Sequence, residues 1–134
     1  MDNISLKALA KINLGLDVVR RRDDGYHEVR MIMQTINLFD RLEIKKIKES
    51  AIKIHTNLFF LPVNENNLVY KAAKLLIDEF GIQEGVSVGL TKKIPVAAGM
   101  AGGSTDAAAM LFGMNRLFGL GLSKKQLMER GVKI

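Results

Sequence analysis

The sequence contains no cysteine. That absence removes disulfides, thiolate metal ligands and a cysteine nucleophile, and it suits a reducing compartment, so a cytoplasmic location is expected. Aromatic residues make up only 6% of the chain, which leaves few platforms on which nucleic-acid bases could stack. No apolar run reaches the roughly 18 to 20 residues that a membrane-spanning helix needs. The start Met1-Asp2-Asn3 also lacks the basic segment and apolar stretch of a secretory leader, so no membrane partner is expected. Lysine and arginine are interleaved with acidic residues rather than gathered into one long basic stretch, and no internal repeat, low-complexity tract or linker interrupts the order.

What remains is an ordinary globular composition. The chain has 134 residues, 48% of them hydrophobic and 25% charged, enough for one domain with a real core. The formal charge of +6 favours anionic partners, and phosphates on a small substrate meet that preference as well as nucleic acid does.

From Lys11 to Val18 the residues alternate, with Ile12, Leu14, Leu16 and Val18 opposite Lys11, Asn13, Gly15 and Asp17, the pattern of a half-buried strand. Arg20, Arg21 and Arg22 lead into Asp23-Asp24-Gly25, a turn signal. Glu28 to Phe39 is richly apolar, and Arg41 to Ile47 and Ala51 to His55 alternate. A short turn near Glu49-Ser50 is therefore expected to make antiparallel neighbours of these last two segments. Asn64 to Asn67 offers N-caps for a helix carrying Leu68, Ala72, Leu75, Leu76 and Phe80, which Gly81 closes. Val86, Val88 and Leu90 mark another strand. A second helix is predicted over Thr105 to Phe118, and Ser123 caps a third from Lys124.

Between that last strand and the second helix lies the most informative segment, Pro95-Val96-Ala97-Ala98-Gly99-Met100-Ala101-Gly102-Gly103-Ser104-Thr105. Glycines let backbone approach a phosphate, and the following helix end presents unpaired N–H groups with partial positive charge. Ser104 and Thr105 offer hydroxyl donors or a magnesium ligand, while Lys92 and Lys93 bring positive charge toward a triphosphate. These ingredients suit ATP with Mg2+. The loop is neither a Walker A motif, for want of a Gly-Lys-Ser/Thr ending, nor a dinucleotide fingerprint. Read in isolation it equally fits a tight turn at Gly102-Gly103, with Ser104, Thr105 or Asp106 capping the helix.

Ala10-Lys11-Ile12-Asn13-Leu14, Asp24-Gly25-Tyr26-His27 and Pro95 to Ala109 together resemble the GHMP superfamily of galacto-, homoserine, mevalonate and phosphomevalonate kinases. The likeness runs from about Leu6 to the last residue and includes Asn66-Asn67-Leu68. It implies an α+β fold, a mainly antiparallel mixed sheet with helices packed on one face, with residues 1–134 forming the N-terminal ATP-binding domain. It also implies that Pro95 to Thr105 wraps the ATP phosphates, that Ser104 reaches the metal, and that Asn67 lies near the nucleotide. By the same resemblance Lys11 acts with an aspartate at the substrate hydroxyl, and Asn13 lies near the substrate. Tyr26 stacks on, and His27 hydrogen-bonds, a cytosine ring. The expected partner is thus a small alcohol bearing a cytidine diphosphate group. Taken alone, Lys11 also fits a solvated strand lysine, Tyr26-His27 partly buried loop packing, and Asn13 or Asn67 a backbone cap or bridge.

Members of the superfamily continue with a short Gly-(Ala/Ser)-Asp-Val segment, whose aspartate is the catalytic base, and then a second domain. The chain is expected to be an N-terminal fragment, inactive by itself. Asp17 lies six residues from Lys11, roughly 20 Å along a strand, and does not replace that base; Asp106 is read as helix-terminal charge. Two other readings stay open: another small-molecule kinase of the same superfamily, and a basic, non-catalytic nucleic-acid-binding domain, because the kinase N-terminal domain shares its fold type with a ribosomal protein domain.

Overall fold

A computed structural model describes the backbone of residues 1–21, 27–94 and 102–134, and the side chains of 1–9, 39–94 and 105–134. The elements follow in the order β1 (Asn3–Arg21), β2 (His27–Ile47), β3 (Ile52–Thr56), α1 (Leu68–Phe80), β4 (Gly85–Thr91), α2 (Gly102–Leu117) and α3 (Lys124–Gly131). The four strands form one mixed sheet in the order β1-β2-β4-β3. β1 and β2 pair antiparallel from Asn3↔Lys45 to Arg21↔His27, β2 and β4 pair antiparallel from Arg41↔Thr91 to Ile47↔Gly85, and β3 runs parallel to β4. The α+β mixed sheet expected from the sequence is present.

One strand pairing differs from expectation. β3 does not return beside β2, because β4 lies between them. The connection Lys48-Glu49-Ser50-Ala51 holds no glycine or asparagine for the positive φ angles that a tight hairpin turn requires. The chain bends instead across the end of the sheet, and the crossover through α1 brings β4 into the gap parallel to β3. β4 suits this central place because Val86, Val88 and Leu90 are all buried at alternate positions. In β1 the register shifts between Leu9 and Lys11, between Asn13 and Gly15, and between Val18 and Arg20, so the uninterrupted two-residue period anticipated from Lys11 to Val18 is broken by irregular pairing.

One face of the sheet carries the core. Ala8, Leu42, Ile44, Ile54, Val86, Val88 and Leu90 meet Val69, Ala72, Ala73 and Leu76 of α1 and Ala107, Met110, Leu111, Met114 and Leu117 of α2. Each large side chain so buried contributes about 1.5–3 kcal/mol relative to exposure. The alternate residues Arg41, Glu43 and Lys45 face solvent, so the helices cover one face. α2 lies close to the strands because Gly113 has no side chain: a Cβ there would come within 2.5 Å of Ile44 Cδ1 and 2.6 Å of Leu6 Cδ1.

The helix ends follow local chemistry. Asn67 caps α1 by accepting from the Val69 N–H, and Gly81 closes it at φ 60°, a left-handed conformation that glycine enters without strain. Ser123 and Gln126 form a reciprocal capping box at the start of α3. Among the described residues no helix is long and apolar enough to cross a membrane.

Candidate functional site

The site is built where β4 ends and α2 begins. Asp40 stands one residue beyond the last β2–β4 pair, Arg41↔Thr91, and directly opposite Ala8 of β1. From there its carboxylate meets the chain as it leaves β4. Oδ1 accepts from the backbone N–H groups of Lys93 at 2.6 Å and Ile94 at 2.9 Å. Lys92 Nζ donates at 2.7 Å to Asp40 Oδ2 and at 2.7 Å to Asp106 Oδ2. The Lys92 backbone is pinned as well, its N–H donating to Asn57 Oδ1 at 2.7 Å while Asn57 Nδ2 donates to the Lys92 carbonyl at 3.1 Å.

All three charged side chains are at most 5% exposed, so their protonation is set by one another rather than by water. Burial pushes the Asp106 carboxyl up to about 7, reinforced by its hydrogen bond with Asp40 and opposed by Lys92. Its other oxygen, Oδ1, is buried with no hydrogen-bond partner, an arrangement that costs less for a neutral acid than for a carboxylate. Burial also tends to raise Asp40, but hydrogen bonds from Asp106, the Ile94 N–H, Lys92 and the Lys93 N–H outweigh it and hold Asp40 below the usual value. For Lys92, burial is overcome by its hydrogen bonds to Asp106 and Asp40, which keep it charged and raise its pKa.

These contacts correct two expectations. Lys92 does not present its charge to an incoming triphosphate, because the Asp40 carboxylate and the Asp106 carboxyl group already hold it inside the protein. Asp106 is not a helix-terminal anion: it lies past the first turn of α2 and is turned into the core. Lys93 is the exposed member of the pair, with Nζ 5.3 Å from the Phe39 ring centre. Lys7 at 4.8 Å and Arg41 at 5.9 Å surround the same ring.

α2 begins at Gly102 rather than Thr105. Gly102, Gly103, Ser104 and Thr105 therefore form its first turn, and the N-terminal end of a helix suits an anion. Among the described residues no group of three His, Asp or Glu is gathered for a metal. A magnesium ion arriving with phosphate would be held by hydroxyl, phosphate and water oxygens, as that ion commonly is.

A family model described as GHMP kinases N terminal domain matches residues 67–134, just the part that holds Asn67, β4, the glycine segment and α2. The chain belongs to the GHMP kinase family. Relatives and solved structures agree with that placement. A 4-diphosphocytidyl-2-C-methyl-D-erythritol kinase of Lachnospira eligens is 60% identical over 134 residues, covering 100% of this chain and 46% of the relative. The Bacillus subtilis protein of the same name is 54% identical over 128 residues, 96% of this chain and 44% of the relative. A crystal structure of 4-(cytidine 5'-diphospho)-2C-methyl-D-erythritol kinase superposes with a TM-score of 0.71 at 35% identity, covering 96% of this chain and 46% of that one. A homoserine kinase from Cytophaga hutchinsonii, at 22% identity and TM-score 0.75, covers 99% of this chain and 41% of its own and shares the fold. The chain thus spans about half the length of the curated relatives it matches, and relatives named as small-molecule kinases do not favour the nucleic-acid-binding alternative.

Within this GHMP kinase domain the expected site residues are distributed unevenly. Lys11 and Asn13 lie on β1, opposite Thr35 and Met33 of β2, while His27 opens β2 opposite Arg21. Arg21 is ten residues beyond Lys11, about 33 Å measured along a strand at about 3.3 Å per residue. Gly102, Gly103 and Ser104 are described by their helical backbone alone. Tyr26 and Pro95, Val96, Ala97, Ala98, Gly99, Met100 and Ala101 lie outside the described residues. Asn67 is buried, its amide oxygen accepting from the Val69 N–H at 2.8 Å and its amide nitrogen donating to the Pro62 carbonyl at 2.8 Å, so it acts on its own backbone as a cap. Sequence reasoning missed Asp40. Its one signal is an acid interrupting the apolar run Leu38-Phe39, where strands are poor in aspartate, and nothing local names a partner 52 residues away.

Proposed function

We propose that the chain is the N-terminal, ATP-binding domain of a kinase that transfers the γ-phosphate of ATP to the 2-hydroxyl of 4-diphosphocytidyl-2-C-methyl-D-erythritol. The observation that carries this reading is the identity of 60% across the whole chain to a protein of that name, together with a glycine segment opening directly onto the first turn of α2. In the reaction an acceptor oxygen bonds to the γ-phosphorus, the bond to the β-phosphate oxygen breaks, and ADP leaves. The hydroxyl proton passes to a carboxylate of the segment that follows this domain in the family. Lys11 beside that hydroxyl lowers the cost of its developing negative charge.

Pro95 to Ala101 and the first turn Gly102-Gly103-Ser104-Thr105 hold the phosphates, the donors being hydroxyls and the backbone N–H groups from Val96 onward. Ser104 reaches the Mg2+ that accompanies ATP. Asn67 fixes the start of α1 beside the nucleotide. Asn13, Tyr26 and His27 hold the acceptor, with Tyr26 against the cytosine ring and His27 in hydrogen-bonding reach of its polar edge. A soluble, cytoplasmic enzyme without nucleic-acid partners fits this role.

ATP-dependent phosphorylation of 4-diphosphocytidyl-2-C-methyl-D-erythritol is measured for the 134-residue chain and for the complete reading frame. The complete protein turns over and the 134-residue chain does not. Turnover of mevalonate or homoserine in its place sinks the acceptor assignment. In the complete protein Lys11→Ala lowers kcat by about 10²-fold or more and changes the affinity for MgATP far less.

A further inference from the structure

Seven residues, 95–101, separate Ile94 from Gly102, and a buried cluster of Asp40, Lys92 and Asp106, with the exposed Asn57 beside it, grips the chain on both sides of them. On the entering side, Asp40 Oδ1 accepts from two successive N–H groups, those of Lys93 and Ile94, and Asn57 pairs with both the N–H and the carbonyl of Lys92. On the leaving side, Asp106 lies one helical turn beyond the start of α2 and receives the Lys92 ammonium at 2.7 Å. Lys92 therefore ties the end of β4 to the start of α2 across 14 residues, and Asp40 ties both to β2 across 52.

We infer that Asp40, Lys92 and Asp106 are positioning residues for the phosphate-binding loop: they set where the loop leaves the sheet and how the first turn of α2 is aimed. The inference rests on the reading of residues 95–105 as an ATP phosphate site.

Stability alone is a poor account of this cluster. Apolar residues close to its members in the chain, Leu42, Ile94 and Met110, are fully buried, and well-packed apolar side chains in place of a buried ion pair are often as stabilising or more so. Charged groups supply what apolar packing lacks, which is direction. Two bonds of 2.7 Å to one ammonium fix the angle between strand end and helix start. Holding the ends of a loop also removes entropy that ligand binding would otherwise have to overcome, and phosphate-binding backbone must sit within about half an ångström of its working geometry.

The test uses the complete reading frame, with calorimetric dissociation constants for MgATP and for 4-diphosphocytidyl-2-C-methyl-D-erythritol. Lys92→Met and Asp106→Ala each weaken MgATP about tenfold or more and leave acceptor binding within about twofold, while Asp106→Asn, which still accepts from Lys92, recovers most of the lost affinity. Amide hydrogen exchange across 96–101 quickens in the two weakened variants and stays unchanged in α1. If Lys92→Met does not fold, the comparison of Asp106→Ala with Asp106→Asn decides alone. Folded variants with lowered melting temperature but unchanged MgATP affinity overturn the inference and leave the kinase reading intact. Wild-type protein that shows no saturable MgATP binding overturns both.

Discussion

A buried ion cluster and a surface ion pair in this domain have contacts of nearly the same length and opposite characters. Lys92 meets Asp40 and Asp106 at 2.7 Å in the interior, where each side chain is at most 5% exposed. Arg130 of α3 meets Glu79 of α1 at 2.5 Å on the surface, its guanidinium forking across both carboxylate oxygens and also donating to the Gln126 carbonyl. Distance does not distinguish them; water does. Near the surface, with side chains 17% and 34% exposed, each partner gains water when the pair opens, so the pair adds less. In the interior an opened pair leaves a charge with nothing to replace its partner. The buried cluster is therefore the one able to hold a loop in place, and the surface pair only helps seat α3 on α1.

The largest effect separating the two regions is expected from Asp40→Ala. This change removes the Lys92 contact and the acceptor for two N–H groups together, and it destabilises the fold by about 3–5 kcal/mol, read from urea or thermal unfolding. A loss no greater than that of a surface variant would erase the contrast drawn between the two pairs.

A sharper comparison comes from pH. Asp106 holds its proton up to about 7, whereas in the unfolded chain it releases it near 3.8. Between those values the folded chain binds more protons, so this group makes stability fall as pH rises from about 4 to about 7. Asp40, held below 3.8, contributes stability that is present above that value and lost as pH falls through its folded pKa. Lys92, raised above 10.5, contributes stability present below that value and lost only as pH rises through its folded pKa. Asp106→Asn removes the decline between about pH 4 and 7 while the acid-side loss owed to Asp40 persists. Unfolding midpoints of wild type and variant that remain parallel across this range would contradict the assignment.

The smallest effect belongs to Glu79→Gln, which removes one charge of the surface pair and keeps its shape. Its melting temperature moves less than that of either buried variant, and the small difference shrinks further in high salt as screening takes over. A salt-insensitive loss comparable with that of Asp40→Ala would show that α3 is held as firmly as the end of β4.

Much of the domain was legible in the chain. α1 appears where Asn67, the apolar spacing and Gly81 place it, and α3 begins after Ser123, because caps and turns are satisfied by residues a few positions apart. α2 starts three residues before its expected first residue, since glycines weaken a helix by propensity yet cost little where packing holds it. The pairing of β3 was misread because alternation shows that a segment is a strand and is silent on its neighbour. Register between strands is a non-local choice, made here by the crossover through α1.

The sequence by itself determined the class of the domain, both ends of α1 and the start of α3, and it singles out the segment proposed to meet a phosphate. Each of these is written in local spacing, and the family's motifs lie within short stretches. Only the tertiary structure decided that Lys92 faces inward. A lysine beside a glycine loop reads as a free cation until Asp40, 52 residues away, and Asp106, 14 residues away, are seen to surround it. Burial converts that charge from a ligand for phosphate into a brace for the backbone on either side of the loop, because in a low-dielectric interior an ammonium stays with the carboxylates that offset its lost hydration.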